Sequence, residues 1–450
     1  MQSLSNKWII RGRKSVVAFW ALCLVGLPQM AQAQQVSKLS LSEAWQMARA
    51  HYPLTRQHDL IARTRTLTLE NASKGHLPAF SLNGQATYQS DVTNLPIKIP
   101  GTTIPAFSRD QYKMYAEADQ VIYDGGLIRN QKKTASANEI IQQQNLEVEL
   151  YALYDRVTQL YLGAILLSEQ LKQNELLKAD IQNGLDKTKA QVANGTAYRS
   201  SVDELEAQIL QTDQARIEIQ ANHDAYLNML SQFIGATLPQ QAVLERPVAP
   251  PGSILDNNSI SAVTRPELLF YDYQKKTCDL QDELLRTQLR PKFNFFVQGG
   301  YGRPGLNVLS NDFAWYYLGG LRLSWNFGSW YTLKNQKEIS SINRSTLDIQ
   351  KEAFVFNSNL TLKQQQAEIK KYMDLVATDQ SIINKREAVK KAASAQLENG
   401  VLSAHDYINE VNLEDQARQN LVLHKLQLLL AQYNYQNTQG IQNPDKESKP

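Results

Sequence analysis

Leu77-Pro78-Ala79-Phe80-Ser81-Leu82-Asn83-Gly84-Gln85-Ala86-Thr87-Tyr88 alternates in character along its length. Phe80, Leu82, Gly84, Ala86 and Tyr88 fall on one face, and Ser81, Asn83, Gln85 and Thr87 on the other. A period of two marks a strand with two unlike faces. Three further runs read the same way. From Tyr112 to Tyr123, Tyr112, Met114, Ala116, Ala118 and Ile122 oppose Lys113, Glu117 and Asp119. Phe293–Tyr301 and Trp315–Phe327 carry Asn294, Gln298, Arg322, Ser324 and Asn326 on their polar side. Each run is close to the roughly 9–11 residues that a tilted strand needs to cross a bilayer. Tyr88, Tyr112, Tyr115, Tyr301, Trp315, Tyr316, Tyr317, Trp325 and Trp330 gather near the run ends, where amphipathic rings suit lipid headgroups. A soluble four-stranded sheet capped by helices would show the same alternation.

Four strands cannot close a barrel, and an open sheet edge in hydrocarbon leaves backbone groups unpaired at several kcal/mol each. Closure therefore requires other copies. Two chains supply eight strands and three supply twelve; about eight are filled by their own side chains, so only the wider ring leaves an aqueous bore.

The strand pairs belong to an internal duplication. Pro53-Leu54 and Leu77-Pro78-Ala79-Phe80 recur as Pro266-Glu267-Leu268 and Pro291-Lys292-Phe293, 213 positions on. Asn130-Gln131-Lys132 and Asn194-Gly195 recur as Asn335-Gln336-Lys337 and Asn399-Gly400, 205 positions on. The change of offset places a deletion in the loop between paired strands: Asp91 to Arg109 in the first copy, Gly302 to Asp312 in the second. The expected organisation is a leader over 1–33, a first repeat over 34–238, a linker over 239–260, a second repeat over 261–440 and a polar tail over 441–450. Each repeat is read as a helix, a strand pair (80–123, 293–327) and a long helical hairpin (127–235, 329–437).

The helical stretches are too long for a globule. From Tyr123-Asp124-Gly125-Gly126 to about Ala193, and from Phe327-Gly328 to about Glu398, no proline intervenes. Leu146, Leu150, Leu153, Val157, Leu160, Ala164, Leu167 and Leu171 form one heptad seam; Ile339, Ile342, Thr346, Ile349, Ala353, Phe356 and Leu360 form another. At 1.5 Å per residue each rod is about 100 Å long. Asn-Gly at 194–195 and 399–400 suits a helix C-cap. Ser201-Val202-Asp203-Glu204 reads as a capping box and Ser403 as the other N-cap, giving hairpin tips at 194–201 and 399–406. Helices over roughly 40–74 and 261–288 would stack end to end with the shorter return helices.

The first residues read as a secretory leader: Lys7, Arg11, Arg13 and Lys14, an apolar run from Val16 to Leu27, Pro28, then Ala31-Gln32-Ala33 with cleavage after Ala33. That run falls short of the roughly 20 residues of a membrane-spanning helix. Its removal turns a formal charge of +3 into −1, so the mildly basic balance is no nucleic-acid signal. Leu22 precedes Cys23 where a lipoprotein site wants a small residue. Cys278 is then the sole mature cysteine and reads as a small buried group.

Short amphipathic strands at one end of long helices give an outer-membrane β-barrel continued by a periplasmic α-barrel of helical hairpins. The chain resembles the TolC-like outer-membrane efflux protein family, the outer membrane factors, and the resemblance implies a trimeric 12-stranded outer-membrane β-barrel with four strands per subunit. The carriers are Ala44 to Leu54 with Arg265-Pro266-Glu267-Leu268, Leu77-Pro78 and Pro291 before the strands, and Tyr123-Asp124-Gly125-Gly126 and Trp325-Asn326-Phe327-Gly328 after them. The Asn-Gly tips, with Ala207-Gln208 following, complete the set. The resemblance implies a homotrimer set in outer-membrane lipid. It also implies tips at Asn194, Gly195, Asn399 and Gly400 that dock a periplasmic adaptor (membrane fusion protein) serving an inner-membrane RND or ABC transporter. It implies passive conduction of drugs, other small molecules or secreted proteins, in efflux or type I secretion.

In that family acidic residues of the second hairpin narrow the pore entrance. Asp406 matches one of them, and Asn409 occupies the next such position. Leu397 and Leu402 stand where a well-known member has tyrosine and arginine gate partners, and Ser201 replaces a first-hairpin aspartate. An apolar constriction would substitute for a polar latch. Asp406 also has an ordinary role as a helix-start carboxylate.

The six histidines show no metal-ligand spacing, and no phosphate loop or nucleophile motif appears, so no enzyme activity, cofactor or nucleic-acid partner is expected. The rival reading is a periplasmic coiled-coil adaptor or a surface-attached adhesin, which would also need a leader and heptads.

Overall fold

The structure is a computed structural model that describes residues 38–92, 108–240, 242–250, 262–307 and 310–440. The expected leader and tail, residues 251–260 of the linker and most of the first strand loop lie outside the described residues. In chain order the elements are β1 (Lys38–Leu39), α1 (Leu41–His51), a 3-10 turn (Pro53–Arg56), α2 (Gln57–Lys74), β2 (Ala79–Tyr88), β3 (Asp110–Tyr123), α3 (Leu127–Ala193), α4 (Arg199–Ile234), β4 (Val243–Leu244), α5 (Pro266–Gln288), β5 (Lys292–Arg303), β6 (Ala314–Ser324), α6 (Ser329–Glu398) and α7 (Ala404–Gln439).

The rods α3 and α6 have 67 and 70 residues. Each turns back at a glycine in the left-handed region, Gly195 at φ +75° and Gly400 at φ +73°, where a Cβ-bearing residue would be strained. Ser403 caps α7, its Oγ accepting the Asp406 amide at 3.1 Å. The expected capping box at Ser201 does not form: α4 starts earlier, after an extended Tyr198, so Ser201 is already the third helical residue.

The stretch expected as one helix over 40–74 is broken. Proline disfavours helical geometry in the residue before it, and Tyr52 ahead of Pro53 adopts ψ 130°. The matching Pro266 opens α5 at its first turn, where the missing N–H goes unused. Return helices and short helices meet end to end. Gly235, at the end of α4, lies against His51, and Phe233 stacks on Tyr52 with ring centroids 6.4 Å apart. At the end of α7, the Gln439 carbonyl accepts the Thr264 amide at 2.7 Å, just ahead of α5. The wall therefore runs α2, α3, α5, α6, with α5 packed on both rods and α2 on α3 alone.

The main core lies where α1, α3, α4 and α7 meet, around Ala44, Val157, Tyr161, Leu230 and Leu429. Tyr161 is fully buried, its hydroxyl 2.7 Å from the carbonyls of Leu39 and Glu245. It thereby ties the small parallel β1–β4 pair to α3. Ser40 and Glu43 form a reciprocal capping box at the start of α1.

The two heptad seams fare differently. Leu146, Leu150, Leu153 and Val157 are at most 4% exposed, whereas Ile339, Ile342, Ile349, Phe356 and Leu360 are 51–65% exposed. A knob without a hole leaves the second seam bare along the outer flank of α6.

The four long strands form one antiparallel sheet in the order β2-β3-β5-β6, with β2 and β6 at open edges. The alternation in sequence runs to Phe327, yet β6 ends at Ser324, opposite the first residue of β5. Beyond it no strand among the described residues pairs with Trp325–Gly328. Asn326 Oδ1 instead accepts the Gly328 amide at 2.9 Å, turning the chain into α6.

Candidate functional site

Strand register sorts the sheet into two faces. Leu82, Ala116, Gly299 and Tyr317 form one row across it, and Gly84, Met114, Tyr301 and Trp315 the next. With Phe80, Phe295, Leu321 and Leu323 they make a continuous apolar face, on which Phe80, Trp315 and Tyr317 are more than 80% exposed. Apolar patches of this extent mark contact with lipid or protein.

The opposite face is a polar wall. Arg322 on β6 reaches Glu117 at 3.1 Å and Asp119 at 3.3 Å on β3, spanning β5. Gln298 donates to Glu117 at 2.7 Å and Asn294 to Asp119 at 2.6 Å. The guanidinium of Arg322 also sits 4.5 Å from the centroid of the Phe296 ring. One sheet thus offers hydrocarbon-compatible groups on one side and water-compatible groups on the other. Among the described residues no helix is long and apolar enough to cross a membrane.

At the other end of the rods lie the tips. Asn194, Gly195, Asn399 and Gly400 are exposed, flanked by Tyr198 and Val401, which are 83% and 78% exposed. Asp406 and Asn409 are exposed one helical turn apart on α7, and the Asp406 carboxylate accepts the Ser403 hydroxyl at 2.7 Å. Leu397 is elsewhere: it is 1% exposed, in a core cluster with Ile181, Leu185, Leu205, Tyr407, Ile408 and Val411. Leu402 packs against the same cluster, and Ser201 is half-buried. Neither leucine stands free, because four helices converge here and absorb the apolar side chains.

Sequence reasoning missed the polar ties that join the two hairpins. Lys187 pairs with Glu398 at 2.9 Å, and His405 Nδ1 with Glu204 at 2.7 Å. Lys390 reaches Asp180 at 2.8 Å and the 2%-exposed Glu414 at 3.2 Å, with Arg418 on the far side of Glu414. The Tyr407 hydroxyl donates to the Asp180 carbonyl at 2.9 Å, and the Gln191 amide to the Leu397 carbonyl. Hydrogen bonding to Lys187 holds the Glu398 carboxyl below the usual range, and the Glu204 partner raises His405. Burial pushes Asp415 up to about 6 and Tyr407 up to about 12. Most of these pairs lie some 200 residues apart in sequence, so no local motif betrays them. Among the described residues no group of three or more histidine, cysteine or acidic side chains is arranged to hold a metal ion.

No family model and no curated protein matches the sequence. Solved structures do match the fold. The outer membrane protein VceC of Vibrio cholerae shares 12% identity over 89% of this chain and 96% of its own, with a TM-score of 0.63. CusC, described in terms of transmembrane channel formation, shares 14% over 89% and 92%, with a TM-score of 0.63. The open state of the MtrE outer membrane channel of Neisseria gonorrhoeae shares 14% over 89% and 88%, with a TM-score of 0.57. The chain therefore has the fold of the TolC-like outer membrane channels: mainly α, with long helical hairpins continued by four membrane-type strands.

Proposed function

We propose that three copies of this chain form a passive exit duct, a twelve-stranded barrel in the outer membrane continued by a helical tube through the periplasm. The observation that carries this reading is the two-faced sheet with both edges open, mounted on rods with an uncovered seam. A lone copy would expose the apolar face to water and leave two strand edges unpaired, both of which are costly. In a ring of three copies, lipid takes the apolar face, the polar wall of Glu117, Asp119, Arg322, Asn294 and Gln298 faces the bore, and each edge finds a partner. A groove on α6 beside Val263, Phe356 and Leu360 (about 520 Å³) lies on the bare flank that the ring would cover with a neighbouring copy.

In this reading the tips at Asn194–Gly195 and Asn399–Gly400 meet a periplasmic adaptor, and an inner-membrane RND or ABC transporter supplies the energy. The cargo of efflux or type I secretion only passes through. Asp406 and Asn409 line the periplasmic entrance, with Ser201 and Leu402 beside it. Leu397 supports the gate from within its core. The alternative, a periplasmic adaptor or an adhesin, gives no account of an apolar sheet face.

Purified protein added to planar bilayers should open long-lived conducting steps. Asp406→Asn should lower the cation-to-anion permeability ratio and cost no more than about 1 kcal/mol of stability, the size of a helix-start carboxylate effect. Absence of conductance, with the protein recovered from the soluble periplasm, would favour the alternative.

A further inference from the structure

Asparagine followed by glycine occurs at Asn83-Gly84, Asn183-Gly184, Asn194-Gly195 and Asn399-Gly400. In such a pair the peptide nitrogen between the two residues is unshielded on its glycine side, because glycine has no Cβ. As sequence the pairs are equivalent, and the fold makes them unequal. Asn83 and Gly84 lie in β2 opposite Tyr115 and Met114 of β3, and the Asn83 side-chain amide donates to the Ser81 hydroxyl at 3.0 Å. Asn183 is exposed, but Gly184 is buried inside α3, where a Cβ would stand 2.3 Å from the Tyr407 ring. The Gly184 nitrogen belongs to the hydrogen-bond ladder of a 67-residue helix.

The two hairpin tips are open by comparison. A Cβ at Gly195 or at Gly400 would meet nothing within 4 Å. Each glycine nitrogen donates to a carbonyl of the last helical turn, Gly195 to Val192 and Gly400 to Leu397, both at 3.0 Å. The asparagine side chains differ. Asn399 Nδ2 donates to the Ala395 carbonyl at 2.8 Å, which holds its amide against α6. Asn194 is exposed, and its side-chain amide makes no hydrogen bond among the described residues.

We propose that Asn194 is a site of spontaneous deamidation and converts ahead of the other Asn-Gly pairs. Opening of the last turn of α3 releases the Gly195 nitrogen, which attacks Asn194 Cγ. The N–Cγ bond forms, the Cγ–Nδ2 bond breaks, and Nδ2 leaves as ammonia with the proton that the Gly195 nitrogen gives up. Water then opens the five-membered imide. Cleavage of the new N–Cγ bond leaves aspartate, and cleavage of the bond to the Asn194 main-chain carbonyl leaves isoaspartate, whose main chain runs through Cβ and Cγ. In sum an amide and a water become a carboxylic acid and ammonia. The product places a negative charge at a helix C-terminus, which the helix dipole disfavours. The isoaspartate form also lengthens the main chain inside a turn where the Thr196 amide and hydroxyl reach the Gln191 carbonyl at 2.9 and 3.1 Å. The first tip therefore loosens with age while the second keeps its shape.

Full-length protein in mild detergent, held at mildly alkaline pH and sampled over time, tests this by peptide mapping. The readout is the mass rise of an amide becoming an acid at each pair, with isoaspartate identified by enzymatic methyl transfer. A parallel sample unfolded in guanidinium gives the rate of each pair without the fold, and each folded rate is divided by it. On that scale Asn194 should convert about two- to ten-fold faster than Asn399, the factor to which one net hydrogen bond corresponds. It should convert at least about ten-fold faster than Asn183 and Asn83, whose reaction requires an ordered helix or sheet to open. Asn399, Asn183 or Asn83 matching Asn194 on that scale, or Asn194 staying intact in the folded protein while it converts in guanidinium, overturns the proposal.

Discussion

Leu321 and Leu318 are three residues apart on β6 and are 71% and 43% exposed in a single copy. In water both are surface leucines, and replacing either with arginine should change stability by no more than about 0.5 kcal/mol. A membrane reverses that expectation. Leu321 lies on the apolar face opposite Phe295, between Tyr317 and Trp325, while Leu318 lies on the polar face opposite Gln298. Arginine on the lipid face near the midplane of a barrel costs about 2–4 kcal/mol. Three copies multiply this to about 6–12 kcal/mol per ring, comparable with the whole stability of an ordinary domain. Leu321→Arg should therefore leave little detergent-resistant oligomer in the outer-membrane fraction, and its urea midpoint in lipid vesicles should fall well below that of the parent. Leu318→Arg, directed into the water-filled bore, should assemble at near-parental yield. Equal tolerance of both substitutions, or greater damage from Leu318→Arg, would refute the assignment of faces.

At the tips, a Cβ at Gly184 would stand 2.3 Å from the ring of the buried Tyr407, so Gly184→Ala should cost about 1–3 kcal/mol, read as a lowered thermal midpoint; no change would mean that α3 and α7 are not closely packed there. His405 is raised by hydrogen bonding to Glu204, with Asp406 adding to the effect. A raised histidine gives stability that is full below its unfolded value near 6.5 and is lost as pH rises through the folded value. A spin-label distance between the hairpin tips should therefore lengthen with rising pH, and Glu204→Gln should abolish that response. Asp415 has the opposite ionisation chemistry but the same sign: its carboxyl, raised by burial, favours the protonated form, so its ionisation destabilises the fold as pH rises through about 6. Asp415→Asn should stabilise by on the order of 2 kcal/mol at pH 8 and have little effect at pH 4, measured by chemical unfolding at the two pH values.

Local pattern and long-range packing contributed unequally to what could be read from the sequence. Period two over Phe80–Tyr88 and the unbroken heptads survive in any context, because backbone geometry alone sets them. They therefore identify the strands and rods in an isolated sequence. Pro53 carries the signal for the break in the helix expected over roughly 40–74, because it keeps Tyr52 out of the helical region. The alternation overshoots Ser324 because β5 begins at Lys292, opposite Ser324, and offers β6 no partner beyond it. The tips were legible as Asn-Gly turns, but the fate of Leu397 was not. Whether a leucine near a turn faces a bore or a core depends on Ile181, Leu205 and Tyr407, which arrive from three other helices. The same holds for Lys390, whose partners Asp180 and Glu414 come from α3 and α7. The exposed seam on α6 shows the reverse case: the heptads announced a partner, and no helix among the described residues supplies one.

The account turns on closure by identical copies, and the mass of the particle extracted from outer membranes in mild detergent addresses it directly. Native mass spectrometry should return three mature chains with no smaller folded species. A folded particle of one or two chains would contradict the account, since four or eight strands with this sheet's faces leave no water-filled bore.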